Sequence, residues 1–70
     1  MTKIKIGHII QTRRNFLSIK QEDFSEMTGI TSKTIYLIEN GKGNPSVDTL
    51  NKLLDVLGLE ISIDIKKLDK

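Results

Sequence analysis

Lys33, Tyr36, Leu37 and Asn40 are the side chains in this sequence whose types and spacing most suggest chemistry. At 100° per residue they fall together on one side of a helix, opposite Ile35 and Ile38. They supply a cation, a hydroxylated ring, an aliphatic group and an amide, with no acid among them. Lysine donates to guanine O6 and N7, an apolar group touches a thymine methyl, and tyrosine and asparagine bond phosphates or base edges. Arg13, Lys20, Gln21 and Lys42 surround that segment, where phosphates would lie. The blander alternative makes Tyr36 and Leu37 part of a protein interface.

Other chemistries are poorly supplied. The 70 residues include no cysteine and one histidine, which excludes disulfides, thiol nucleophiles, cysteine- or histidine-cluster metal sites and a catalytic triad. Glu22, Asp23 and Glu26 crowd one short segment with no histidine or phosphate-binding loop beside them, and each reads as a solvated acid. Gly41-Lys42-Gly43 lacks the preceding strand and the remaining pattern of a P-loop. His8 lies opposite the apolar face of its helix and reads as a surface residue. The expectation is a protein without catalytic activity, cofactor or metal. No apolar stretch approaches the ~20 residues of a membrane helix and no secretory signal opens the chain, so a cytoplasmic, nucleoid-associated protein with no membrane partner is expected.

The elements that must position these residues are short. Lys plus Arg number 11 against 9 acids, and the excess is uneven: seven bases and four acids in residues 1–42, four and five in 43–70. The spacing predicts a first helix over Ile6–Leu17 with Ile6, Ile9, Ile10, Phe16 and Leu17 inward, Arg13 lying along that face. Gln21–Thr28 reads as a second helix with Phe24 inward, ended by Gly29. Thr31 caps a third, Ser32–Asn40, closed by Gly41, and Ser46 caps a fourth, Val47–Leu57, whose stripe is Val47, Leu50, Leu53, Leu54 and Leu57. Gly7 and Ser18 read as further punctuation. The turn Thr28-Gly29-Ile30-Thr31 joins its helices as in helix–turn–helix units, a spacing also found in any αα-corner.

After Gly58 the period changes. Leu59-Glu60-Ile61-Ser62-Ile63-Asp64-Ile65-Lys66 alternates strictly and predicts a strand. A lone strand leaves its backbone ladder unpaired. Its partner is either Thr2–Ile6 of the same chain or the identical strand of a second copy, paired antiparallel about a two-fold axis. The second pairing is favoured because a domain this small buries only ~60% of its unfolded surface. Residues 1–58 are thus expected to form the nucleic-acid-binding domain and 59–70 a dimerisation strand and tail, with Leu59, Ile61, Ile63 and Ile65 at the homodimer interface.

The stretch from Ile6 to Glu60 resembles the Cro/phage-repressor (XRE) helix-turn-helix family. The resemblance rests on Arg14, Gln21, Gly29, Thr34-Ile35, Ile38-Glu39-Asn40-Gly41, Pro45-Ser46, Thr49-Leu50 and Leu57-Gly58. Arg13-Arg14, the run Asn40–Pro45 and the tail further resemble its HipB-like branch, which includes stand-alone regulators and antitoxins paired with kinase-fold toxins. The resemblance implies a mainly α, four-helix lambda-repressor-like domain acting as a dimeric repressor on palindromic double-stranded DNA. A kinase-fold toxin is then a candidate partner.

Carried over, the resemblance has Gln21 bonding a phosphate and Ser32 and Lys33 opening the recognition helix over base edges, with Thr34 counted among the DNA-binding residues. Tyr36 and Leu37 lie on its outer face, Leu37 where relatives usually carry a polar reader, and Asn40 and Lys42 touch phosphates past its end. Arg14 and Glu39 match the family's internal ion pair. The sequence departs from the pattern at Ser18, Lys20 and Ser25, where relatives commonly have glycine, threonine and alanine, and Lys20 cannot cap the second helix. The competing class is a protein-interaction domain of the same fold without DNA binding.

Overall fold

The computed structural model describes residues 2–66, which form four helices and no strand among the described residues. Helix α1 spans Lys3–Phe16, α2 Gln21–Thr28, α3 Ser32–Glu39 and α4 Val47–Val56. The mainly α, four-helix expectation holds, with Asn40 and Leu57 as C-caps rather than last helical residues. Three N-caps work through side-chain oxygens. Thr2 accepts from the Lys5 N–H at 3.1 Å, Thr31 from Thr34 at 3.2 Å and Ser46 from Thr49 at 3.1 Å. The cap at Thr2 starts α1 three residues before the predicted boundary, so Lys3–Ile6 are helical and offer no in-chain strand.

One core joins the helices: Ile10, Phe24, Ile35, Ile38, Leu53, Leu54 and Leu57 are buried, with Ile6, Ile19, Ile30, Leu50, Val56 and Leu59 packed against them. The inward stripe of α1 is Gly7, Ile10 and Arg14, spaced i, i+3, i+7. That corrects two expectations. Gly7 lies inside α1, and Ile9, Phe16 and Leu17 are exposed, Phe16 to 74%. Phe16 stands 180° from Gly7 at 100° per residue and Ile9 160° from it, so neither can share its face. Instead the Arg13 guanidinium lies over the Phe16 ring, 5.3 Å from its centroid. Val47, expected in the α4 stripe, is likewise exposed at the first turn.

Gly7 sets how closely α3 lies on α1. A Cβ built there would overlap the Ile38 carbonyl oxygen and stand 2.9 Å from that of Glu39. Only hydrogen leaves room for that crossing. At the turn between α2 and α3, Gly29 takes φ +76°, a left-handed conformation that costs a residue with a Cβ roughly 1–2 kcal/mol. Ser18 adopts φ +58° without being glycine, and Lys20 stands at the N-cap of α2 with no side-chain hydrogen bond. Two of the three departures from the family pattern thus fall where the α1–α2 link is least favourable.

The predicted strand is not formed: residues 59–66 carry neither helix nor strand, and residues 67–70 of the expected tail lie outside the described residues. A strand is defined by its partner, and the in-chain candidate is helical. Leu59 packs on the core, whereas Ile63 and Ile65 are 93% and 97% exposed. None of the described helices is long and apolar enough to cross a membrane.

Replacing Gly7 tests the helix crossing. Alanine normally stabilises a helix interior by ~1 kcal/mol over glycine. Here overlap with α3 backbone should outweigh that gain, since overpacking costs about 1–3 kcal/mol. Gly7→Ala is expected to melt below the wild type by circular dichroism; a higher melting temperature would show that α3 does not rest on this glycine.

Candidate nucleic-acid interface

The best-defined polar site is built around one carboxylate. Helix α3 turns Ile35, Ile38 and Glu39 inward, and all three are buried. Glu39 is met by Arg14 from α1: Nε donates to Oε2 at 2.6 Å and Nη2 to Oε1 at 2.9 Å, a two-pronged pairing that only a guanidinium makes. Arg14 Nη1 also donates to the Ile19 carbonyl at 2.8 Å, and Gln21 Nε2 from the start of α2 donates to Glu39 Oε1 at 3.0 Å. Among the described residues no buried side-chain polar atom is left unpartnered. The cluster therefore ties α1, the α1–α2 link, the first residue of α2 and the last of α3 at one point.

This arrangement fixes the outer face of α3. Ser32, Lys33, Tyr36 and Asn40 are exposed, Tyr36 to 55%, and Leu37 is half-buried but outside the core and its packed neighbours. Leu37 is thus less open than its position alone suggested. With Glu39 turned inward, α3 presents no carboxylate to solvent. The Thr34 hydroxyl accepts from that of Thr31 at 3.0 Å, and Asn40 Nδ2 donates to the Tyr36 carbonyl at 2.8 Å. The Lys42 N–H donates to the Leu37 carbonyl at 2.8 Å, which holds exposed Lys42 beside the C-terminal end of α3.

Other candidates stand elsewhere. Arg13 is half-buried and donates through Nε to the Leu57 carbonyl at 2.9 Å, so it braces the end of α4 and does not join the bases around α3. Gln21, read as a phosphate ligand, has one amide N–H engaged by Glu39 and keeps a second N–H and its oxygen. Lys20 is exposed at the start of α2. His8 is exposed, 3.5 Å from the Thr12 hydroxyl. Among the described residues no group of acids and histidines is arranged to hold a metal ion.

Sequence reasoning missed two contributors, the bond from Gln21 to Glu39 and the close approach at Gly7. The first had no local signal, since its partners are 18 residues apart. The second had one, a small residue in register with Ile10 and Arg14.

A short helix laid across a second with its outer face free of acid is the arrangement of a helix-turn-helix reader, and residues 10–63 match the helix-turn-helix family profile. The chain belongs to the Cro/C1-type helix-turn-helix family. This is a family of DNA-binding transcriptional regulators. Helix-turn-helix relatives include a protein of Methanothermobacter thermautotrophicus named as an uncharacterized HTH-type transcriptional regulator, 34% identical over 89% of this chain and 90% of its own length. Another of the same name, from Haemophilus influenzae, is 40% identical over 74% of this chain and 53% of its own. The HTH-type transcriptional regulator PuuR of Escherichia coli is 36% identical over 80% of the chain, which spans only 30% of that protein.

The helix-turn-helix unit should depend on Glu39 far more than on a surface acid. Removing one member of a buried ion pair costs ~3–5 kcal/mol, while exposed substitutions stay within about 0.5. Glu39→Ala should therefore lower the melting temperature by well over ten degrees or abolish folding, at about 4–8 °C per kcal/mol for a domain this small. Glu26→Ala should leave it nearly unchanged. Similar melting curves for the two variants would show that the buried pair contributes little.

Proposed function

We propose that the chain is a sequence-specific transcriptional repressor that docks as a homodimer on a palindromic operator. The observation that carries this reading is the outer face of α3, stripped of acid by the inward turn of Glu39 and flanked by Lys42 at its end. In this reading Lys33 donates to a guanine in the major groove, with Ser32, Thr34, Tyr36 and Leu37 around it. Lys20, Gln21, Asn40 and Lys42 engage phosphates on either side. Residues 1–58 form the DNA-binding domain and residues 59–70 the assembly segment.

The dimer is argued from surfaces that one chain leaves uncovered. Between α1 and α4 runs a groove of about 530 Å³ lined by Ile6, Ile9, Val47, Leu50 and Leu54, and by Leu59 and Ile61 of the following segment. Ile63 and Ile65 extend past it into solvent. Antiparallel pairing of two tails would cover these isoleucines over both grooves, a self-complementary contact. Two recognition helices would then sit roughly 34 Å apart, one turn of DNA, so the operator should be palindromic.

The exposed Phe16, on the side of α1 away from α3 and outside that groove, supports a second role compatible with the first. A protein partner could occupy that side without covering the recognition helix, as an antitoxin holding a kinase-fold toxin would require. The same surface would serve a protein-interaction domain that does not bind DNA. Binding titrations separate the two classes, because only the repressor prefers one duplex over others.

Two experiments test the repressor. Lys33→Ala should cost about 1–3 kcal/mol at one position per half-site and relax the preference there, whereas Lys42→Ala should weaken all sequences alike and flatten the salt dependence. A uniform loss for Lys33→Ala would remove it from base reading. For assembly, deletion of residues 61–70 spares Leu59, which belongs to the core packing. The truncated chain should keep its helical circular dichroism, sediment as a monomer and lose most operator affinity. A truncated protein still dimeric and fully active would place the interface elsewhere.

A further inference from the structure

We propose that Leu37 reads the C5-methyl group of a pyrimidine, so that this protein distinguishes DNA by base methyl groups; the inference rests on the DNA-binding reading above. It follows from the groups on α3 that are already engaged within the protein. Glu39 is turned inward to Arg14 and Gln21, the Thr34 hydroxyl meets that of Thr31, and one Asn40 amide N–H is held by the Tyr36 carbonyl. The outer face still offers one cation, Lys33, the Ser32 and Tyr36 hydroxyls, the Thr34 O–H, the second N–H and the oxygen of Asn40, and one wholly apolar side chain, Leu37.

Leu37 is the informative one. It is half-buried, stands outside the core cluster and the residues packed on it, and so keeps apolar surface that the core does not use. It stands four residues after Lys33 on the same side of α3, about 6 Å further along the axis at 1.5 Å per residue. With base pairs about 3.4 Å apart, Leu37 reaches a pair one or two steps from the one Lys33 contacts. The only apolar group a standard base shows in the major groove is the thymine methyl. A cytosine methylated at C5 presents the same methyl from the same ring position, whereas uracil keeps the hydrogen-bonding edge of thymine and lacks the methyl.

The test uses the full chain and a duplex enriched by it from a randomised pool. Each thymine of that duplex is replaced in turn by uracil. One replacement per half-site should weaken binding about fourfold, the equivalent of one buried methyl group at about 0.8 kcal/mol. Leu37→Ala should bind the thymine and uracil duplexes equally, and Lys33→Ala should keep the fourfold ratio while binding more weakly. With cytosine·guanine at that position, C5 methylation should strengthen wild-type binding by a similar factor. Uracil substitution without effect throughout, an enriched half-site lacking thymine, or a Leu37→Ala variant that still prefers thymine would each overturn the inference. These wild-type titrations do not depend on the variant folding. A pool yielding no enriched duplex would overturn the DNA-binding reading, and this inference with it.

Discussion

The buried Glu39 carboxylate constrains the rest of this domain. A charge out of water must be paired and fully hydrogen-bonded. Meeting that demand requires Arg14 from α1, Gln21 from α2 and a carbonyl at Ile19 to steady the guanidinium. The seven-residue apolar core gives the helices a reason to collapse, but apolar contact is non-directional. The carboxylate and its fork of donors supply direction, fixing how α3 is rotated about its axis and therefore which side chains face outward. Gly7 sets the other coordinate, the separation of α3 from α1.

Much of this was legible in residue order, and the parts that were not share a cause. The spans of α2 and the starts of α3 and α4 follow from local signals: a threonine or serine cap, acids in the first turns of α2 and α4, and a glycine where the chain turns left-handed. The inward face of α1 is ambiguous in the sequence because its isoleucines, Ile4, Ile6, Ile9 and Ile10, with Phe16 spread apolar groups over several faces. Gly7, which decides the matter, carries no side chain and so no hydrophobic signal. The alternating tail reads as a strand on period alone, yet a strand is a relation between two segments, and Thr2 capping a helix removes the one in-chain partner. At the candidate site, the outward set Lys33, Tyr36 and Asn40 came directly from helical spacing. The engagement of Gln21 with Glu39 did not, since it joins residues distant in sequence.

The weak points of the fold are concentrated. Ser18 holds a positive φ, Lys20 leaves α2 without a side-chain cap, and both lie in the link between α1 and α2. The same link contains Ile19, whose carbonyl accepts from Arg14, so the ion pair also restrains the stretch that local preferences hold least well. A domain with so small a core has little margin to absorb such strain. That a directional interaction spans the region is consistent with the chain keeping these residues.

The hydrogen bond from Asn40 to its own helix, with those joining Thr34 to Thr31 and Gln21 to Glu39, also bears on entropy. A side chain frozen on association loses rotamer freedom worth about 0.5–1.5 kcal/mol. Around α3 the side chains of Gln21, Thr34 and Asn40 are already held in the free protein, whereas Lys20, Lys33 and Lys42 are long, exposed side chains with many conformers to lose. Those three polar groups are preorganised, and the ordering penalty of any docking on this face would fall mainly on the three lysines.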